Sequence, residues 1–155
     1  MFDDDPEDDL PEPVFYADGR RARIPGPSSL PRRFVYVAGP LWDVARSPVE
    51  AEAALTVASI AWNATRLPEP ERTATLRQLI RKIADGTAQL GSMDDFSEMV
   101  LRAMRWPREQ RAVVEVGFKE LRPGEWHVAL LTVTPEDVRR RASSRGARPR
   151  GPRRG

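Results

Sequence analysis

Between Ser47 and Leu67 the chain reads SPVEAEAALTVASIAWNATRL, a helical segment with very little polar surface to offer water. Ser47 supplies an N-cap hydroxyl, Pro48 suits the first helical position, and Glu50 follows three residues after the cap. At about 100° per residue, Val49, Ala53, Ala54, Leu55, Val57, Ala58, Ile60, Ala61, Trp62, Ala64 and Leu67 cover most of the circumference. Thr56, Ser59 and Asn63 share one narrow stripe, with Arg66 at its lower end. A helix apolar on so many sides belongs inside a domain, with other elements packed around it. The rest of the chain must therefore provide a layer on more than one side of it.

The flanking sequence divides into elements by its punctuation. Phe34–Val37, FVYV, is short, aromatic and β-branched; with Gly39-Pro40 after it, it reads as a buried strand. Pro68 and Pro70 end the central helix and begin a second, in which Leu76, Leu79, Ile80 and Ile83 form one apolar face and Gly86 a C-cap. A third helix starts at Ser92, with Asp95 completing a capping box and Phe96, Met99, Val100, Ala103 and Met104 as its stripe. The period then changes. RAVVEVGFKEL (111–121) and WHVALLTV (126–133) flank Arg122-Pro123-Gly124-Glu125, whose Pro-Gly suits a type II turn, and predict a hairpin. Thr134-Pro135-Glu136-Asp137 opens a short helix to about Ala142. The expected fold is α+β: a three-helix layer on a small antiparallel sheet, forming one globular domain over residues 32–142.

Both ends differ from this body. Positions 1–13 hold 7 acidic residues and no basic ones, and 139–155 hold 8 arginines and no acids, leaving 16 acidic and 17 basic residues between them. Segments so charged and so poor in large apolar residues do not offset their ordering entropy, so 1–13 and 143–155 are expected to be disordered. Residues 14–31 read as an extended arm or a hairpin turned at Asp18-Gly19, followed by the linker PGPSSLP. MFDDDPEDDL is acidic where a secretory leader needs positive charge, and no run is long enough to span a bilayer, so a soluble cytoplasmic protein is expected.

The residues that carry chemistry are few. The chain has no cysteine and one histidine, His127, whose neighbour Glu125 is the only nearby group to orient it. Asp94, Asp95 and Glu98 read as first-turn helix acids, and no ligand set has metal spacing. No glycine-rich phosphate loop stands between a strand and a helix. No catalytic residue, metal or cofactor is assigned, and a non-catalytic protein-interaction module (adaptor, inhibitor or complex subunit) is the expectation. It would bind through the rim that carries Trp42, Trp106 and Trp126, which flank turns, or through the outer face of the hairpin; the same tryptophans read equally well as sealing the rim of a small core. Another protein is the expected partner; a second copy of the chain is also allowed, and no membrane is implied.

Two other surfaces come from the same residues. Arg139, Arg140, Arg141, Arg145, Arg148, Arg150, Arg153 and Arg154 would meet phosphates without sequence preference, which makes a nucleic-acid-associated protein the second reading. Of the 25 basic residues only Lys82 and Lys119 are lysine, a bias typical of GC-rich coding, so arginine abundance alone does not argue for phosphate binding. The acidic N-terminal segment would compete with an anionic partner for these arginines. Finally, Thr56, Ser59, Asn63 and Arg66 either face solvent or line a small-ligand groove, with Asn63 alternatively bonding a neighbouring backbone.

Overall fold

The apolar run Phe34–Val37 lies within a helix, not a strand, and that difference sets the architecture. The computed structural model describes residue 10, residues 14–17 and 20–24, and residues 29–136. In chain order the elements are β1 (Val14–Ala17), β2 (Arg20–Arg23), α1 (Ser29–Trp42), α2 (Pro48–Thr65), α3 (Glu71–Ala84), α4 (Met93–Ala103), β3 (Ala112–Arg122) and β4 (Glu125–Val133). The fold is α+β, with four helices before the hairpin where three were expected, the added one being α1. Of the expected N-terminal tail only Leu10 is described, and it is buried in the core, which corrects the expectation of disorder there. Of the helix expected from Thr134 to about Ala142 only the start, 135–136, is described, and the C-terminal tail lies outside the described residues.

Leu30, Phe34, Val37, Ala38 and Trp42 explain why α1 is helical. They are all buried, and their spacing places them on one face at a helical period. A continuous apolar run such as FVYV satisfies a buried strand equally well when read alone. Pro31 falls in the first turn, where its missing N–H costs nothing. Pro40 falls inside the helix and leaves the Tyr36 carbonyl without its i+4 donor. Arg102 of α4 replaces that donor: its Nη1 bonds Tyr36 O at 2.8 Å, its Cζ lies 4.7 Å from the Tyr36 ring centroid, and its Nε pairs with Glu98 at 3.0 Å.

Gly39 makes room for this arrangement, because a Cβ there would collide with Arg102 Nη1. Gly39→Ala should gain about 1 kcal/mol of helix propensity and lose about 1.5–3 kcal/mol as the guanidinium leaves the carbonyl. A net destabilisation of about 1 kcal/mol is expected by urea denaturation. In an Arg102→Met background the same substitution should become stabilising; a loss of equal size in both backgrounds would refute the explanation.

α2 is enclosed as its sequence demands. Ser47 Oγ accepts the Glu50 N–H at 3.1 Å, and Ala51, Ala54, Leu55, Val57, Ala58, Ala61, Trp62 and Ala64 are buried. α1, α4 and β3 pack around it, the alanines allowing close approach. α4 begins as expected, with Ser92 Oγ accepting Asp95 N–H at 3.0 Å. α3 is peripheral, with no buried residue, and Glu69 caps it through Thr73 N and Oγ1 at 3.1 and 2.7 Å. These bonds from Thr73, chiefly the hydroxyl's, hold the Glu69 carboxyl below its ordinary range.

The sheet has the order β1-β2-β4-β3. β3 and β4 form the expected antiparallel hairpin, with Gly124 at φ +78° in its turn. β1 and β2 pair antiparallel across residues 18–19 and join β4 by one parallel bridge, Arg23 to Glu125. They supply the strands that FVYV was expected to supply. Phe15 anchors them in an aromatic cluster, 5.0 Å from Phe118, 5.6 Å from Trp126 and 5.8 Å from Trp42 by ring centroid. Trp42 Nε1 also donates to Val14 O at 2.8 Å.

Candidate interaction surface

The polar stripe of α2 divides into two halves. Thr56 and Ser59 bond carbonyls of their own helix, Glu52 O at 3.0 Å and Thr56 O at 2.6 Å. Asn63 and Arg66 turn to the main chain of later segments. Asn63 accepts Val113 N–H and donates to Val113 O, both at 2.8 Å, as a neighbouring strand would. Arg66 Nη1 bonds Trp106 O and Glu109 O at 2.8 and 2.6 Å, Nη2 bonds Ala103 O at 2.7 Å, and the guanidinium lies 4.1 Å over the Trp62 ring. Asn63 and Arg66 thus fasten α2 to the α4–β3 connection and the start of β3, where backbone groups lack regular partners.

Burial lowers Arg66 to about 10 against the opposing pull of Glu109, so the group stays cationic at neutral pH. Glu109 is held at about 2, first by side-chain hydrogen bonds from Arg111 (2.8 and 2.9 Å), and also by the Arg111 N–H and by Arg33 at 3.7 Å. Of the four stripe residues, only Arg66 lines the adjoining cleft of about 360 Å³, beside Arg72, Glu109, Gln110 and Pro135.

The tryptophans expected as exposed anchors are mostly interior. Trp42 and Trp106 are 5% and 4% exposed, and Trp126 is partly buried against Phe118, its ring 4.8 Å away. Two aromatic neighbourhoods absorb them: the Phe15 cluster, and a second in which Trp106 meets Tyr36 at 5.7 Å with Arg33 and Arg105 over its ring. The large planar side chains near turns close the core here instead of facing outward.

The hairpin has the open face. Its register pairs Val116 with Leu130, Phe118 with Val128 and Glu120 with Trp126 toward the helices, so Glu115–Leu131, Gly117–Ala129 and Lys119–His127 occupy the opposite face. Val114 and Leu121 are the residues skipped at the two register shifts. Leu131, Val114 and Leu121 are 54%, 51% and 64% exposed. His127 has Lys119 opposite, and no hydrogen bond joins its ring to Glu125. Among the described residues no group of three metal-ligating side chains converges, and no helix is long and apolar enough to cross a membrane. The arginines from Arg139 to Arg154 lie outside the described residues.

The change of period and the Pro-Gly turn are the signals for this hairpin; the two bulges at Val114 and Leu121 have no signature in the residue types. No family model, curated protein or solved structure matches the chain.

Proposed function

We propose that this chain is a non-catalytic intracellular protein-interaction module that binds another protein through the outer face of the β3–β4 hairpin. The observation that carries the reading is the exposure of Leu131, Val114 and Leu121 on one hairpin whose inner face is fixed to the core. Exposed apolar side chains on a preorganised surface favour association, since little ordering entropy remains to be lost on binding. Charged neighbours, Glu115 and Lys119, provide a polar setting for orientation.

Leu131→Asp tests it. The side chain already faces solvent, so the expected cost to stability is limited to the mild like-charge repulsion from Glu115 opposite, while capture of a stoichiometric partner by the immobilised full chain should be lost. Identical capture by parent and variant would refute the assignment of the face.

A second reading, nucleic-acid association, is favoured by one feature: Pro135, after which the arginine-rich segment follows, lines a cleft shared with Arg66 and Arg72. Binding to duplex and single-stranded nucleic acid that falls steeply with salt and vanishes on removal of 139–155 would support it. No binding at low salt excludes it.

A further inference from the structure

We propose that a second copy of this chain pairs antiparallel with the free edge of β3, about a two-fold axis at Gly117. This deepens the interaction reading, on which it rests, by naming the partner at one edge of the hairpin.

Among the described residues β3 is the terminal strand of the sheet; α2 packs against it, and Asn63 hydrogen-bonds its edge at Val113. From Glu115 to Leu121 no strand lies on the side away from β4 among the described residues. The strand spans 11 residues without a proline, which leaves a long row of backbone donors and acceptors open to pairing. A two-fold contact requires the surface to complement itself, and this strand does. With Gly117 opposite its own counterpart, Glu115 faces Lys119 of the second copy and Lys119 faces Glu115, while Val116 faces Phe118. The exposed Leu121 arrives at the Val113–Val114 bulge. Sliding by one residue destroys the match, setting Glu115 against Glu120 in one direction and against Phe118 in the other.

Gly117 is an independent sign. A Cβ built there would meet only Ala129 Cβ, at 3.9 Å, an ordinary contact, and its φ is not positive. Nothing in its own fold calls for glycine, which weakens a strand interior and marks places where another backbone comes close. At the proposed axis two such residues face each other.

The experiment is a charge exchange on the full chain, read by sedimentation equilibrium from micromolar to millimolar protein. Glu115 and Lys119 are exposed and lie opposite Leu131 and His127 within the hairpin, so neither change removes a salt bridge of the monomer. Glu115→Lys alone, or Lys119→Glu alone, sets like charges together at two symmetric places and should weaken dimerisation about tenfold or more. The double variant Glu115→Lys/Lys119→Glu restores opposite pairs and should restore the dimer. Circular dichroism melts check that all three stay folded.

A parent chain that is monomeric throughout, single variants that dimerise like the parent, or a double variant as weak as the singles would each overturn the inference. A dimer lost with Leu131→Asp but indifferent to the charge exchange would overturn it too. A monomer that still captures a different protein through Leu131 would remove this inference and leave the functional reading standing.

Discussion

Trp62→Ala is expected to lower the unfolding free energy by about 3–5 kcal/mol, a large share of the roughly 5–15 kcal/mol available to a domain of this kind. The side chain is fully buried, its ring lies 5.5 Å from Phe34, and its Nε1 donates to Arg111 O at 2.8 Å. Truncation leaves a cavity at the centre of α2, orphans a carbonyl at the entry to β3 and removes the ring under Arg66. Trp62→Phe separates these contributions. It keeps most of the apolar volume, so its cost should be near the about 1–3 kcal/mol of an unpaired carbonyl. Urea denaturation checks both; an alanine variant within about 1 kcal/mol of the parent would show that α2 is not the enclosed element.

Arg66→Met is the second large effect, expected at about 2–4 kcal/mol. Methionine keeps an apolar stem but abandons the carbonyls of Ala103, Trp106 and Glu109 together. Against that loss stands the recovered desolvation of a buried cation, the cause of its lowered pKa, and this keeps the net below the sum of three charge-assisted bonds. Lysine is not a conservative replacement: one ammonium lacks the planar fork that reaches three carbonyls and stacks on Trp62. Arg66→Lys should therefore fall between parent and methionine. Hydrogen exchange locates the effect, because amides from Met104 to Gln110 should lose protection before those of β4. Since Arg66 rests on Trp62, the double variant should cost less than the two single losses added together. Strict additivity would mean that the stacking contributes nothing.

These two substitutions also mark where sequence reasoning reached and where it stopped. Periodicity alone places Trp62 inside the domain. Asn63 and Arg66 were visible as polar groups on an otherwise apolar helix, and a backbone partner for Asn63 was among the alternatives. What they hold, however, is main chain from 103 to 113, and a carbonyl leaves no trace in residue type. Trp42 and Trp106 stay open between anchor and core seal in the sequence for a similar reason. Proximity to a turn says nothing about whether a ring points outward or closes a core, and Val14, Tyr36 and Arg33, distant in sequence, decided it. The change of period and the Pro-Gly turn mark the hairpin in the sequence, but nothing there marks its bulges.

Local chemistry settled the ends of the elements. Ser47 and Ser92 cap helices by bonding amides three residues away, and Gly86 and Gly124 adopt positive φ where a helix stops or a chain reverses. Such interactions lie within a few residues of their cause, so the sequence carries them in full. Long-range satisfaction of backbone groups settled the rest. Gly39-Pro40 ends an element only if the Tyr36 carbonyl stays unpaired, and Arg102, 66 positions away, pairs it. Because that donor comes from another helix, only the tertiary structure made FVYV part of α1 and left the sheet to be completed by Val14–Ala17 and Arg20–Arg23.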